Sequence, residues 1–176
     1  MATSGSKKVN IDSGGYLYLQ FEWAAGTQDI AGNYTPVNWK LKLVAGNGTI
    51  SASAAKDYSV TVDGKTWNGT NNISISADKT KTLASGSKNI THNADGTKTF
   101  SYSFSQEIAA TISGVSVGTK TGSGTGKLND IPRKATITGA PNFTDERKRG
   151  ITYSNPAGTA ADEVGGCIAS ADGHTQ

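Results

Sequence analysis

Four side chains with ligand-binding chemistry share one face of a predicted β-strand. Residues 16–23 (YLYLQFEW) alternate between polar and apolar positions, and the polar face carries Tyr16, Tyr18, Gln20 and Glu22. An aromatic ring stacks on the apolar C–H face of a pyranose, while amide and carboxylate groups hold its hydroxyls. The pattern therefore predicts a carbohydrate-binding surface. A second interpretation stays open, in which the two tyrosines pair across strands with Lys40 or Lys42 or cover an edge of the sheet.

A second candidate is Trp67 in the segment GKTWNGTNN, where the neighbouring residue Asn68 supplies an amide. We expect this segment to connect two strands. A tryptophan among polar loop residues is either a platform for a ligand or a lid packed over the end of the core. Trp67 and Asn68 complete the predicted carbohydrate-binding set.

Residues for catalysis are sparse, and we predict no enzyme and no catalytic residue. His92 and His174 are the only imidazoles and Cys167 is the only thiol, so a nucleophilic triad would have to form around His92. We interpret His92 as a polar hairpin residue. Glycoside hydrolysis stays open only if Glu22, Glu107 or an aspartate meet as a pair in space.

Metal binding and cofactors are not predicted. Two histidines and one cysteine do not make a tetrahedral zinc site without carboxylates at ligand spacing. The oxygen-rich loops VDGKTWNGTNN and HNADGT suit a structural calcium ion, but their spacing matches no calcium-binding loop. Turn formation explains both loops without a metal.

The elements that position these residues are predicted to be antiparallel strands. A turn signal at Asp95-Gly96 precedes an alternating run with Phe100, Tyr102 and Phe104, which predicts a long half-buried strand entered through a hairpin. Similar inward faces follow from VNWKLKLV and YSVTVD, and shorter strands from NISIS, KTLAS, KNIT and KTGSGTGKL. Trp23 and Trp39 share their faces with leucines and are predicted to be core. About eight strands indicate an all-β, antiparallel β-sandwich of jelly-roll type.

Composition agrees with an all-β protein and excludes several functions. The 176 residues include 22 glycines, and 17 basic residues against 14 acidic ones give a net charge of +3. Because the lysines are scattered singly, we predict no nucleic-acid partner. The first residues lack the apolar core of a secretory signal, and no run reaches the roughly 18 apolar residues needed to span a bilayer. We therefore expect synthesis in a cytoplasm and no membrane contact.

A break at residues 129–133 (NDIPR) predicts a domain boundary, with a sandwich over residues 1–131 and a second unit over 132–176. Beyond the break we expect two short strands around a loop, with Ile137, Phe143, Ile151 and Tyr153 as apolar residues, and a third at GGCIAS. These 45 residues are too few for an independent sandwich.

Several segments together resemble a known family. WKLKLV, YSVTVDGKTW, KTLASGSKNITHNADGTKTFSYSFS, GTGKLNDIPRKATIT, APNFTD and ITYSNPAG are similar to the minor structural proteins of long-tailed phages that infect Gram-positive bacteria, especially streptococci. The resemblance implies a virion protein of the tail or baseplate. It also implies an N-terminal sandwich like a carbohydrate-binding module, followed by immunoglobulin-like repeats, of which the end of this chain would be an incomplete one.

Three functions compete on this basis. A host adhesin would bind cell-wall polysaccharide without catalysis, with weak sites multiplied by several copies on one tail. An architectural tail protein would dock on other virion proteins, and a cell-wall glycoside hydrolase is the third. We favour the adhesin; assembly into a homo-oligomer is left open.

Overall fold

The computed structural model describes residues 3–52, 54–112 and 114–133, and further along the chain it describes only the backbone of two short strands. Eight strands form two four-stranded antiparallel sheets packed as a sandwich. Sheet 1 contains β1 (Ser4–Asn10), β2 (Leu17–Ala25), β3 (Tyr34–Ala45) and β6 (Lys79–Thr91), in that order. Sheet 2, in the order β5-β4-β7-β8, contains β4 (Lys56–Val62), β5 (Lys65–Asn71), β7 (Thr99–Ile112) and β8 (Val115–Lys127). The predicted all-β sandwich is confirmed.

The strand order combines sequence neighbours with crossovers between the sheets. β1, β2 and β3 follow one another in sheet 1, and β7 and β8 are neighbours in sheet 2. The β4–β5 pair is enclosed in sequence by β3 and β6, which pair with each other in the opposite sheet. This order does not by itself confirm the jelly-roll type.

The core lies between the sheets and consists of the alternating apolar residues that the sequence predicts. Trp39 and Phe21 are almost completely buried, and Phe21 stacks on Tyr102 of the other sheet with ring centroids 4.7 Å apart. Trp23 meets Phe100 edge to face at 5.0 Å. The prediction of Trp23 and Trp39 as core residues is confirmed.

Glycines on the inner side of β8 make room for the aromatic rings of β7. Gly126 is paired with Phe100, and a Cβ atom there would lie 2.5 Å from the Phe100 ring and 2.7 Å from the Trp23 ring. Gly124 and Gly122 are opposite the next two aromatic residues of β7 in the same way. The rings therefore cover the inner side of β8, and its outer side carries the hydroxyl residues of the Thr/Ser-Gly alternation.

The two Asp-Gly turns among the described residues have different roles from those predicted. β6 and β7 belong to different sheets, so the turn at Asp95-Gly96 connects the sheets, and the hairpin prediction there is wrong. The two-residue hairpin is at Asp63-Gly64 between β4 and β5, where both residues have positive φ angles of 46° and 81°. Such angles at both central positions are those of a type I′ turn, which Asp-Gly favours.

Strand limits also differ from the sequence prediction. β1 was not predicted, because SGSKKVN contains a single large apolar residue, Val9. KTLAS and KNIT are parts of one strand, β6, which has a bulge opposite Leu41 and Lys42. Ile73 and Ile75 are buried as expected, but they lie outside the strands, with one isolated bridge between Ile75 and Ile50.

The second predicted unit lies mostly outside the described residues. Two strands there, β9 (Thr136–Ile137) and β10 (Tyr153–Ser154), pair antiparallel as the two short strands expected. Phe143, Ile151, the third strand at GGCIAS, Cys167 and His174 fall outside the described residues, so the domain assignment stays a prediction.

Candidate functional site

The outer face of sheet 1 groups polar side chains in rows across neighbouring strands. In one row, Gln20 of β2 lies between Lys8 of β1 and Lys42 of β3. In the next row, Glu22 lies between Ser6 and Lys40. Side chains that are directly opposite on one face of an antiparallel sheet have Cβ atoms about 5 Å apart, so each row is a set of potential contacts.

Gln20, Glu22 and Lys42 form a network on this face. The Nε2 amide of Gln20 donates a hydrogen bond of 2.9 Å to Oε1 of Glu22, and the ammonium of Lys42 lies 2.5 Å from Oε2. Both carboxylate oxygens are therefore engaged, and the side-chain exposures of Lys42 and Glu22 are 24% and 34%. The network holds an amide, a carboxylate and an ammonium group in fixed relative positions at a half-exposed surface.

Tyr18 extends this network along β2 and is covered by a cation. The Lys8 ammonium lies 4.0 Å from the centroid of the Tyr18 ring and donates a hydrogen bond of 3.3 Å to the Gly15 carbonyl. Pairing of Tyr18 with a lysine was one of the two sequence interpretations, but the partner is Lys8 of β1 and not Lys40 or Lys42. One face of the ring is therefore occupied.

Tyr16 does not share the strand with the other three residues. It precedes β2, is 53% exposed, and follows Gly15, whose φ angle is +69°. The Asp12 carboxylate accepts a hydrogen bond of 3.0 Å from the Leu17 amide and closes the turn before the strand begins. The prediction that Tyr16 lies within the strand is wrong, because this turn ends just before Leu17.

A shallow groove of about 560 Å³ runs across this face. The polar residues along it are Ser4, Ser6, Gln20, Glu22, Asn38 and Lys40. Sequence reasoning found Gln20 and Glu22 but missed Ser4, Ser6 and Asn38. Asn38 is predictable from the alternation in β3, where it shares the outward face with Lys40. The two serines were not predictable, because strand β1 was not.

Trp67 and Asn68 lie outside this groove and on opposite faces of sheet 2. Trp67 belongs to strand β5 and not to a loop, because the Asp63-Gly64 turn begins the strand at Lys65. Its ring meets the buried Trp39 ring edge to face at 5.1 Å, and the Lys65 ammonium lies 4.9 Å from it. Trp67 thus packs over the core, as in the lid interpretation. Asn68 is exposed on the outer face of sheet 2, so the six predicted residues do not form one site.

The outer face of sheet 2 carries mainly hydroxyl groups. A second open groove of about 640 Å³ includes Asp57, Asn68 and Glu107 together with serines and threonines of β4, β5, β7 and β8. Glu107 therefore lies on the opposite outer face from Glu22, and these two glutamates do not form the carboxylate pair that hydrolysis needs. Among the described residues, no group of three or more His, Cys, Asp or Glu side chains could hold a metal ion.

His92 is buried and connects a turn to β3, in contrast to the polar hairpin residue predicted. It is only 4% exposed, and its ring nitrogens are each 2.7 Å from a partner, the Thr35 hydroxyl and the Gly96 carbonyl. The Gly96 carbonyl requires a donor at Nδ1, so Nε2 accepts from Thr35 in the neutral ring. Nδ1 thus bonds within the turn at residues 92–97, and Nε2 joins this turn to Thr35 of β3.

Two carboxyl groups in the loops 29–34 and 92–97 have lowered pKa values. Hydrogen bonds from the Gly32 amide and the Tyr34 hydroxyl lower the pKa of Asp29. The hydrogen bond between Tyr34 and Asp29 also raises the pKa of the Tyr34 hydroxyl. The Thr97 hydroxyl and amide lower the pKa of Asp95, with a smaller contribution from Arg133. Hydrogen bonds to a carboxylate favour its charged form, so these groups hold their turns as anions.

Comparison with protein-family models, with curated proteins and with solved structures finds no match to this chain. The described residues contain no helix of the length and hydropathy required to cross a membrane.

Proposed function

We propose that the protein is a tail or baseplate component of a phage virion that binds host cell-wall polysaccharide through the outer face of sheet 1. The sequence resemblance to minor tail proteins of phages of Gram-positive bacteria supports the virion assignment. Binding without catalysis is consistent with the placement of Glu22 and Glu107 on opposite faces. We also propose that the sandwich belongs to the jelly-roll type, since the β4–β5 pair lies in sequence between β3 and β6, which pair with each other in the opposite sheet.

The observation that carries the binding proposal is the Gln20–Glu22–Lys42 network beside the groove. Its amide, carboxylate and ammonium groups are the partners that sugar hydroxyls need, and the hydrogen bond and ion pair hold them in place before any ligand arrives. Preorganised polar groups lower the entropy cost of binding. A shallow, open groove also suits one segment of a long polysaccharide better than a small, enclosed ligand.

The test is binding of the full chain, presented in many copies, to intact cells and isolated wall polysaccharide of candidate Gram-positive hosts. We expect saturable binding that Gln20→Ala weakens about two- to tenfold, the range of one hydrogen bond. Asn68→Ala is the matched control, because it removes an exposed amide from the opposite face. Equal binding by wild type and Gln20→Ala, or no binding to any host tested, would contradict the proposal.

An architectural role is the second candidate, and the outer face of sheet 2 favours it. This face is broad and carries hydroxyl side chains at the outward positions of all four strands, such as Thr61, Ser103 and Thr121. A wide surface of hydroxyl groups of this kind suits contact with another protein. In this case the cell-binding assay would be negative and substitutions on sheet 2 would impair virion assembly.

A further inference from the structure

We infer that the ligand of the sheet 1 groove is an anionic glycan, a polysaccharide that bears carboxylate or phosphate groups. The inference rests on the proposed function, since it names the ligand class of the same groove. It comes from the charges on the outer face of sheet 1, from what each of them contacts, and from the contrast with the outer face of sheet 2.

The outward positions of β1, β2 and β3 carry three lysines and one carboxylate. Lys8, Lys40 and Lys42 face outward with Glu22, so this part of the face has an excess of two positive charges. The net charge of the whole chain is only +3. A local excess of this size on one face raises the concentration of anionic ligands near it.

Lys40 is the cation that is available to a ligand. It is directly opposite Glu22 in the register, but both oxygens of that carboxylate are taken by Gln20 and Lys42. Among the described residues Lys40 has no ion-pair or hydrogen-bond partner, and it lines the groove. An anionic group in the groove would give this ammonium the partner that Glu22 does not provide.

Tyr18 and Lys8 point to the same ligand class. Stacking of a neutral sugar needs a free aromatic face, and the Lys8 ammonium, 4.0 Å from the Tyr18 ring centroid, occupies one of the two faces of this ring. Lys8 is held there between the ring and the Gly15 carbonyl. The Lys8 ammonium therefore places a hydrogen-bond donor and a positive charge over the Tyr18 ring, where an uncovered ring would offer only apolar contact.

The spacing of the lysines suits a chain with repeated negative charges. Lys8 and Lys42 occupy the same row on β1 and β3, one on each side of Gln20. Strands are about 4.8 Å apart, which separates their backbones by roughly 10 Å. A segment bound over β2 would lie about one strand spacing, roughly 5 Å, from each of these strands. That distance is within the screening length of about 8 Å at physiological salt, so both lysines attract the segment.

The outer face of sheet 2 is an internal comparison. Its groove contains two carboxylates, Asp57 and Glu107, which have no ion-pair partner among the residues described. An anionic chain is repelled there. The two faces of one sandwich therefore differ in the sign of charge, and only sheet 1 suits an anionic polymer.

The experiment measures binding of the full chain to three immobilised probes: polygalacturonate, its carboxyl-reduced neutral form, and a phosphomannan. We expect binding to at least one anionic probe and at least tenfold weaker binding to the neutral one, with the two anionic probes separating carboxylate from phosphate. Lys40→Gln should weaken anion binding about two- to fivefold, the range of an exposed ion pair.

Lys127→Gln is the matched control, because it removes one exposed lysine from the end of β8 in the other sheet. An equal loss in both lysine variants would mean general charge attraction and would overturn the inference. Equal binding to the neutral and anionic probes would also overturn it, while leaving the adhesin proposal intact. Failure to bind both these probes and every host wall polysaccharide tested would contradict both the anionic-ligand inference and the adhesin proposal.

Discussion

At the residue scale, the turn at residues 93–97 depends on a charged carboxylate. Asp95 accepts hydrogen bonds from the Thr97 amide at 2.9 Å and the Thr97 hydroxyl at 2.7 Å, and these bonds lower its pKa. The folded state thus binds the Asp95 proton less tightly than the unfolded chain does. The stability from this group is fully present above the ordinary aspartate pKa and is lost as the pH falls through the lowered one.

We therefore expect Asp95→Asn to make stability less dependent on acid pH. The free energy of unfolding, measured by urea denaturation from about pH 6 down to about pH 2, should fall less steeply in this variant than in wild type. Asp57→Asn is a suitable comparison, because Asp57 is exposed in β4 and its carboxylate has no ion-pair partner among the described residues. Identical pH profiles for wild type and Asp95→Asn would show that this carboxylate does not stabilise the fold.

Single residues of the core were predictable, whereas the site depended on contacts between strands. Phe21 and Trp39 follow from alternation alone, since one face of each strand is apolar. The contact of Lys8 with Tyr18 does not follow, because β1 has too few apolar residues to be recognised. The sequence predicts a loop at Trp67, because the polar segment GKTWNGTNN has no apolar alternation. The Asp63-Gly64 hairpin places it in a strand, and a turn fixes the parity of the strand that follows it.

At the element scale, β8 depends on glycine where it faces the core. We expect Gly126→Ala to lower the free energy of unfolding by about 1–3 kcal/mol, since the added methyl group would overlap the Phe100 and Trp23 rings. Gly118→Ala is the matched control on the same strand, because a Cβ there meets no atom within 4 Å. Urea denaturation of both variants makes the comparison.

The control should be neutral or slightly stabilising, since alanine restricts the unfolded chain more than glycine does. A Gly126→Ala variant as stable as wild type would mean that the Phe100 ring has room to move. The alternation of Thr or Ser with Gly in β8 predicts the strand from sequence, but the reason for the glycines lies in the aromatic residues of β7. The role of these glycines is visible only from the register that pairs β7 with β8.

At the scale of the whole molecule, the residues on either side of the predicted boundary, Ile131 and Arg133, contact the sandwich. Ile131 is 1% exposed, and its amide donates a hydrogen bond of 3.0 Å to the Gly96 carbonyl. Arg133 donates a hydrogen bond to the Asn93 carbonyl at 2.7 Å and another to the side chain of Asn33. The segment after β8 is therefore fixed to the turn between β6 and β7.

We expect Ile131→Ala to lower the free energy of unfolding by about 2–5 kcal/mol, as for other buried isoleucines. Pro132→Ala, at the next and exposed position, should change it by less than about 1 kcal/mol. Thermal and urea denaturation of the full chain would test both. A loss no larger for Ile131→Ala than for Pro132→Ala would show that the segment after β8 is not part of the sandwich.

The groove between β1 and the end of β8 has a mechanical consequence. Thr3, Ser4 and Asn129 line the same groove, so the start of β1 and the residues just after β8 lie at one end of the sandwich. β1 is held by its ladder to β2, and β8 by its ladder to β7. A force that pulls Thr3 and Asn129 apart would peel these ladders from that end, one residue pair at a time. The sandwich should yield to tension at these points more readily than to tension along its strands.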